Sequence, residues 1–186
     1  MPKKDSYHDL LKRDFNNLFD ELDLKENQRS YLRGRWLDQV IWMEGKAGKA
    51  RDRYYLLRLT TIIGGVIIPI LISFNFAEEQ RRLSETMRYV TITLGAIVAT
   101  TSAIEEFFHY GERWRHYRRS VESLKTQGWQ FSQLTGVYTP YKAHSDAFGL
   151  FVGQVEDIIQ RDVEVYATTV ARETIEEQSQ EGNKVS

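Results

Sequence analysis

Two stretches of the chain carry no formal charge: Leu59 to Ala77, LTTIIGGVIIPILISFNFA, and Tyr89 to Ile104, YVTITLGAIVATTSAI. At about 1.5 Å rise per helical residue they reach roughly 28 Å and roughly 24 Å, against a hydrocarbon core of about 30 Å. The second lengthens with Met87 and a snorkelling Arg88 before it, and with Phe107 and Phe108 after it, provided that Glu105 and Glu106 face protein or water. Two buried helices of a soluble bundle are the competing reading. A soluble helix normally shows a polar stripe, however, and the first stretch carries charge on no face over about five turns. Aromatic residues gather at the ends of both stretches, as interfacial belts do: Tyr54, Tyr55, Phe74, Phe76, Tyr89, Phe107, Phe108, Tyr110 and Trp114. Pro69 would kink the first helix, which a membrane tolerates where neighbours re-satisfy the freed carbonyl.

Only about a dozen residues, Glu78 to Arg88, join the two stretches, so the pattern predicts an antiparallel transmembrane hairpin with both termini on one side. Lys46, Lys49, Arg51, Arg53 and Arg58 precede it and Arg113, Arg115, Arg118 and Arg119 follow it, while the connection holds Arg81, Arg82 and Arg88. The positive-inside rule then makes the protein multi-pass in the cell (inner) membrane, with both termini cytoplasmic.

The flanks read as helix. Ser6 with Asp9 has the form of a capping box, and Tyr7, Leu11, Phe15, Leu18 and Leu22 follow helical spacing. A second helix is expected from about Asn27 straight into the first span, although Gly34, Gly45 and Gly48 weaken it. Trp114, Tyr117, Val121 and Leu124 form a heptad-like seam that extends the second span to about Gly128. Trp129 to Thr139 then reads as an ordered loop. Thr139 and Pro140 look like an N-cap and first helical residue, and Phe148, Val152, Val155, Ile159, Val163, Tyr166 and Val170 line a last amphipathic helix. The expected organisation is all-α: cytosolic N-terminal helices over 1–58, the hairpin over 59–104 (spans 59–77 and 87–104, outer connection 78–86), a cytosolic helical region over 105–172 and a disordered tail over 173–186.

Composition narrows the functions. Across 186 residues, 25 basic and 26 acidic side chains leave a net charge of -1, without the basic excess that general nucleic-acid binding requires. There is no cysteine, hence no disulfide, thiolate metal site or cysteine nucleophile. The charged, aromatic-rich N-terminal region lacks the pattern of a secretory signal. A mean hydropathy of -0.48 averages two apolar stretches with far more charged sequence.

On the second span, Thr91, Gly95, Ala99, Ser102, Glu106 and His109 fall along one face at steps of three and four. One reading is close helix packing, with Gly95, Ala99 and Ala103 admitting a neighbouring backbone. The other is a hydrated pathway at the axis of an oligomer, with a ring of Glu106, or alternatively Glu105, drawing cations to its mouth. The two carboxylates point about 100° apart, so both cannot face one axis, and either is also readable as an interfacial carboxylate beside Arg58 or Arg113. His109 and His116 lie one heptad apart but lack the further ligands of a metal site. His8 and His144 stand alone, no phosphate loop is present, and no nucleophile has an evident base, so no enzyme, cofactor or metal is expected.

The order of parts is similar to a known family. The Trp36 and Trp42 pair with Lys46, the entry Tyr54-Tyr55-Leu56-Leu57-Arg58, Pro69, and Glu112-Arg113-Trp114 followed by Tyr117-Arg118 and Glu122-Ser123-Leu124 together resemble the bacterial SLATT-type two-transmembrane proteins. Their relatives include a membrane domain of unknown function, and the resemblance runs from about Arg29 to Ile159. It implies a membrane protein with cytosolic helices, of a kind proposed to act as pore-forming effectors. The expected function is a homo-oligomeric ion channel whose second span lines the pathway, with cations preferred. A non-conducting membrane-anchored scaffold or signalling module is the alternative. The expected partners are further copies of the chain, the lipid bilayer and permeating ions.

Overall fold

A computed structural model describes residues 7–73 and 81–184, with side chains over 7–73 and 82–164. Every regular element among them is helical. α1 spans Tyr7–Glu21 and α2 Glu26–Tyr31, and a π-helical segment, Leu32–Leu37, leads into α3, Asp38–Ser73. α4 spans Arg81–Phe108, α5 Tyr110–Ser132, and a 3-10 turn over Gly136–Tyr138 precedes α6, His144–Lys184. Ser6, Phe74, Phe76 and residues 78–80 of the connection lie outside the described residues. The chain divides into two compact units: Met1–Glu44 with Arg118–Ser186, and Gly45–Tyr117.

The first unit is a helical bundle around Trp36. The wider turn of the π segment carries Leu32, Trp36 and Leu37 into the core. Trp36 is fully buried and its indole Nε1 donates to the Leu124 carbonyl at 3.1 Å. Phe15 and Phe19 meet it edge-on at 4.8 and 5.5 Å between centroids. Gly128 lies so close to the indole that a β-carbon there would overlap it, so this glycine serves packing and α5 does not stop at it. From α6, Ala147, Phe151, Val155 and Ile159 enter the core, and Phe151 stacks on Phe131 at 4.5 Å.

Several boundaries differ from the sequence expectation for local reasons. α5 runs on to Ser132 and closes through Leu134, which takes a positive φ of 48° while the Thr135 N–H reaches back to the Gln130 carbonyl. Thr139 and Pro140 do not start α6: the Thr139 hydroxyl donates to the Gly136 carbonyl in a turn, and the helix begins where the Ala143 carbonyl receives the N–H groups of Asp146 and Ala147. The core face of α6 is also rotated, with Phe151 buried and Val163 exposed. The backbone of residues 173–184 is helical where low hydrophobicity suggested disorder. Its Glu and Gln residues favour helix even though they cannot build a core.

The second unit is an antiparallel hairpin of α3 and α4. Tyr54, Leu57, Thr61, Gly64, Ile68 and Leu71 on α3 and Met87, Thr91, Leu94, Val98, Thr101 and Glu105 on α4 are shielded and spaced alternately by three and four residues, with Thr60 and Gly95 half-buried beside them. Gly64 fixes the close approach, because a β-carbon there would overlap the Val98 side chain. Close by, the Thr61 and Thr101 hydroxyls lie 3.5 Å apart. The other faces are exposed and apolar: Leu59, Ile62, Ile63, Val66 and Ile70 on α3, and Val90, Ile92, Ile97 and Ile104 on α4. Both helices are long and apolar enough to cross a membrane, and almost none of their apolar windows is buried within the chain. Most of their hydroxyls are turned back to the helix itself. Thr60, Thr61, Ser73, Thr91, Thr100 and Thr101 each donate to the carbonyl four residues back, which satisfies those six donors in an apolar surround.

Candidate functional site: a cleft of unpaired charges at the α4–α5 break

The helix after the second apolar stretch is not continuous. His109 adopts a positive φ of 49° and separates α4 from α5, against the expectation of a single long helix. The break is one residue long because both sides stay hydrogen-bonded. The His109 N–H donates to the Glu105 carbonyl at 2.9 Å, and the His109 carbonyl receives the N–H groups of Glu112 and Arg113 at 3.0 Å. A left-handed residue inside a helical path re-aims the axis and costs roughly 1 kcal/mol at a non-glycine position.

Around this break lies a cleft of about 270 Å³, lined by Tyr54, Arg58, Glu105, Glu106, His109, Gly111, Glu112 and Arg115. Gly111 forms its tightest wall: a β-carbon there would stand 2.8 Å from Tyr54 Cε2. Tyr54 stacks on Trp114 at 6.1 Å, and Tyr55 packs on the same indole at 5.6 Å. The Arg53 guanidinium sits 5.5 Å from the Tyr110 ring centroid. An aromatic collar thus adjoins the charged cleft at the end of the apolar hairpin.

The charges in the cleft do not neutralise one another. Arg58, Arg115, Glu105, Glu106, His109 and Glu112 take part in no ion pair and no side-chain hydrogen bond among the described residues. The other unit behaves oppositely. There Lys125 Nζ lies 2.7 Å from Glu44 Oε2, and Arg118 Nη1 lies 2.9 Å from Glu44 Oε1. Burial lowers the Lys125 pKa, but the Glu44 hydrogen bond and charge outweigh it and leave the ammonium raised. Arg35 holds Glu156 below the usual carboxylate range through bonds of 2.7 and 3.0 Å, opposed by partial burial and assisted by the Tyr31 hydroxyl at 2.6 Å. Burial pushes the Tyr138 phenol up to about 12.

Of the residues singled out from sequence, Glu105, Glu106 and His109 come together in the cleft. Thr91 is half-buried in the α3–α4 seam, with its hydroxyl on the Met87 carbonyl. Gly95 is half-buried with open space where a β-carbon would stand, and Ala99 and Ser102 are exposed. Pro69 lies inside α3, and the Ser73 hydroxyl donates to its carbonyl at 2.8 Å. Arg58 shares the cleft with both glutamates without pairing to either, whereas Arg113 does not line it. Glu112, Arg115, Tyr54 and Gly111 were not foreseen as site residues. The heptad interval from Glu105 to Glu112 was an available signal for Glu112, and no spacing marked Arg115, Tyr54 or Gly111. No group of three or more potential metal ligands occurs among the described residues.

No curated protein matches the chain, and no solved structure does. One family profile matches residues 38–146, more than half of the chain, reaching from the start of α3 into the first turn of α6 and enclosing the whole hairpin and its cleft. With that span matched, the chain belongs to the family described as a protein of unknown function (DUF4231).

Proposed function

We propose that α3 and α4 lie in a lipid bilayer, with both termini cytoplasmic, and that copies of the chain assemble into an ion-conducting oligomer whose pathway is lined by α4. The observation that carries this reading is the division of labour on α4. The seam facing α3 is filled by Leu94, Val98 and Thr101, while Ala99, Ser102 and Glu106 remain exposed outside it. An exposed hydroxyl and carboxylate beside an apolar surface are costly against lipid, and a second copy or a column of water relieves that cost. Two helices cannot enclose a pathway alone, so conduction requires assembly. The resemblance to SLATT-type proteins, for which pore formation has been proposed, points the same way.

Purified protein in planar bilayers is expected to pass current, with cations favoured. Cysteines at Ala99 and Ser102 are expected to react with aqueous thiol reagents, while cysteines at Ile92 and Ile97 resist them. Absence of current across voltage, pH and divalent ions, together with unreactive cysteines at Ala99 and Ser102, would sink the channel. It would favour the second reading, a non-conducting membrane scaffold. Gly95 supports that alternative, since its open face admits the close approach of a neighbouring helix.

A further inference from the structure

The cleft at the α4–α5 break holds both signs of charge without letting them meet. Two guanidiniums, Arg58 and Arg115, and three carboxylates, Glu105, Glu106 and Glu112, line the same 270 Å³ without an ion pair among the described residues. Surface charges of opposite sign within reach usually pair, as Arg35 and Glu156 or Arg161 and Asp157 do here. A cleft lined by both and pairing neither offers guanidiniums to an anion and carboxylates to a cation. A guanidinium forks onto a phosphate, and carboxylates accept from an ammonium. The carboxylates outnumber the guanidiniums, so a purely anionic ligand meets net repulsion and a bare cation leaves the arginines unused.

We propose that this cleft binds the phosphoethanolamine headgroup of a lipid, its phosphate on Arg58 and Arg115 and its primary ammonium on Glu105 and Glu112. This rests on the reading of the hairpin as membrane-inserted. The lipid is favoured over a soluble aminophosphate because the cleft opens at the end of the exposed apolar faces of α3 and α4, beside the Tyr54, Tyr55 and Trp114 rings. Acyl chains leaving a headgroup there would run along apolar surface. Gly111 keeps the wall beside Tyr54 free of a side chain.

Native mass spectrometry of the full chain in detergent tests this, with short-chain phosphatidylethanolamine, phosphatidylglycerol and phosphatidylcholine of equal chain length and with water-soluble glycerophosphoethanolamine as probes. Phosphatidylethanolamine is expected to bind about tenfold more tightly than the other lipids and the soluble probe. The pair Arg58→Gln and Arg115→Gln should remove that preference. Glu105→Gln with Glu112→Gln should weaken phosphatidylethanolamine while strengthening phosphatidylglycerol, since the repulsion of an anion is gone. Equal binding of the three lipids, or a preference untouched by both variants, overturns the proposal. Glycerophosphoethanolamine binding as tightly as the lipid overturns the lipid as the source. An alkaline wash of loaded vesicles separates the failures: protein retained in the bilayer but indifferent to headgroup refutes the site alone, and protein released from it refutes the membrane reading.

Discussion

Glu44 is the most consequential single charge in the helical bundle, and replacing it with glutamine measures how much. Its carboxylate bridges Lys125 and Arg118, and the side chains of Lys125 and Glu44 are only 10% and 12% exposed. Removing one partner of a buried pair costs about 3–5 kcal/mol, because the other charge is left uncompensated. Two features reduce that here. Glutamine keeps one oxygen that can accept from Lys125, and Glu122 lies 3.5 Å from the ammonium, although it is half exposed. A loss of about 2–3 kcal/mol remains, which for a chain of this size lowers the melting temperature by roughly 5–10 °C. The pH dependence carries a second signature. Lys125 is raised in the native protein, so its contribution is fully present below the unfolded lysine value of about 10.4 and is lost as pH rises through the folded one. In Glu44→Gln burial dominates, the folded value falls below the unfolded one, and the alkaline slope from this residue changes sign. Thermal unfolding in detergent at neutral pH and near pH 10 reads both effects. A variant melting within about 1 °C of the parent at neutral pH, or sharing its alkaline slope, refutes the reasoning.

Gly128→Ala should destabilise the bundle by about 1–2 kcal/mol despite alanine's better helix propensity, because the indole of Trp36 is rigid and has nowhere to move; a denaturant midpoint at or above the parent's contradicts this. Gly64→Leu should separate α3 from α4 and lower hairpin stability by about 1–3 kcal/mol, and Val98→Ala in the same chain should recover most of the loss in a melting assay. Glu156 is lowered by Arg35, so the stability it adds is present above the unfolded glutamate value of about 4.3 and is lost as pH falls through the folded one. Arg35→Gln should therefore differ from the parent at pH 7 and converge with it in strong acid, as followed by circular dichroism. The Tyr138 phenol should titrate near 12, visible as phenolate absorbance absent from Tyr138→Phe.

Helix content and the hairpin were legible in the sequence because charge vanishes over 59–77 and 89–104, and no local competitor disguises a run of that length. The positions where helices stop were not. Both breaks that matter, at His109 and Leu134, use a left-handed backbone at a residue that does not advertise it, whereas Gly128, the expected terminator, stays helical to make room for Trp36. Missing the His109 break hid the cleft. Without it Glu105, Glu106 and Glu112 lie on a single straight helix, and only Arg58, expected beside the first two, has a reason to join them, while Arg115 has none. Facing errors have another origin. In α6, Phe148 and Phe151 both fit a helical stripe, and only the aromatic cluster around Phe131 and Trp36 selects Phe151 for full burial. On α4 the small and polar stripe was visible in spacing, but the placement of Thr91 inside the α3 seam and of Ala99, Ser102 and Glu106 outside it depends on Gly64 accepting Val98, a choice made by the partner helix.

Membrane insertion is the claim on which the channel and the lipid site both stand, and extraction of protein-bearing vesicles with alkaline carbonate followed by ultracentrifugation tests it most directly. With the apolar outer faces of α3 and α4 in lipid, the chain is expected to stay in the membrane pellet until detergent is added. Recovery in the detergent-free supernatant as a soluble, monodisperse species would contradict the account.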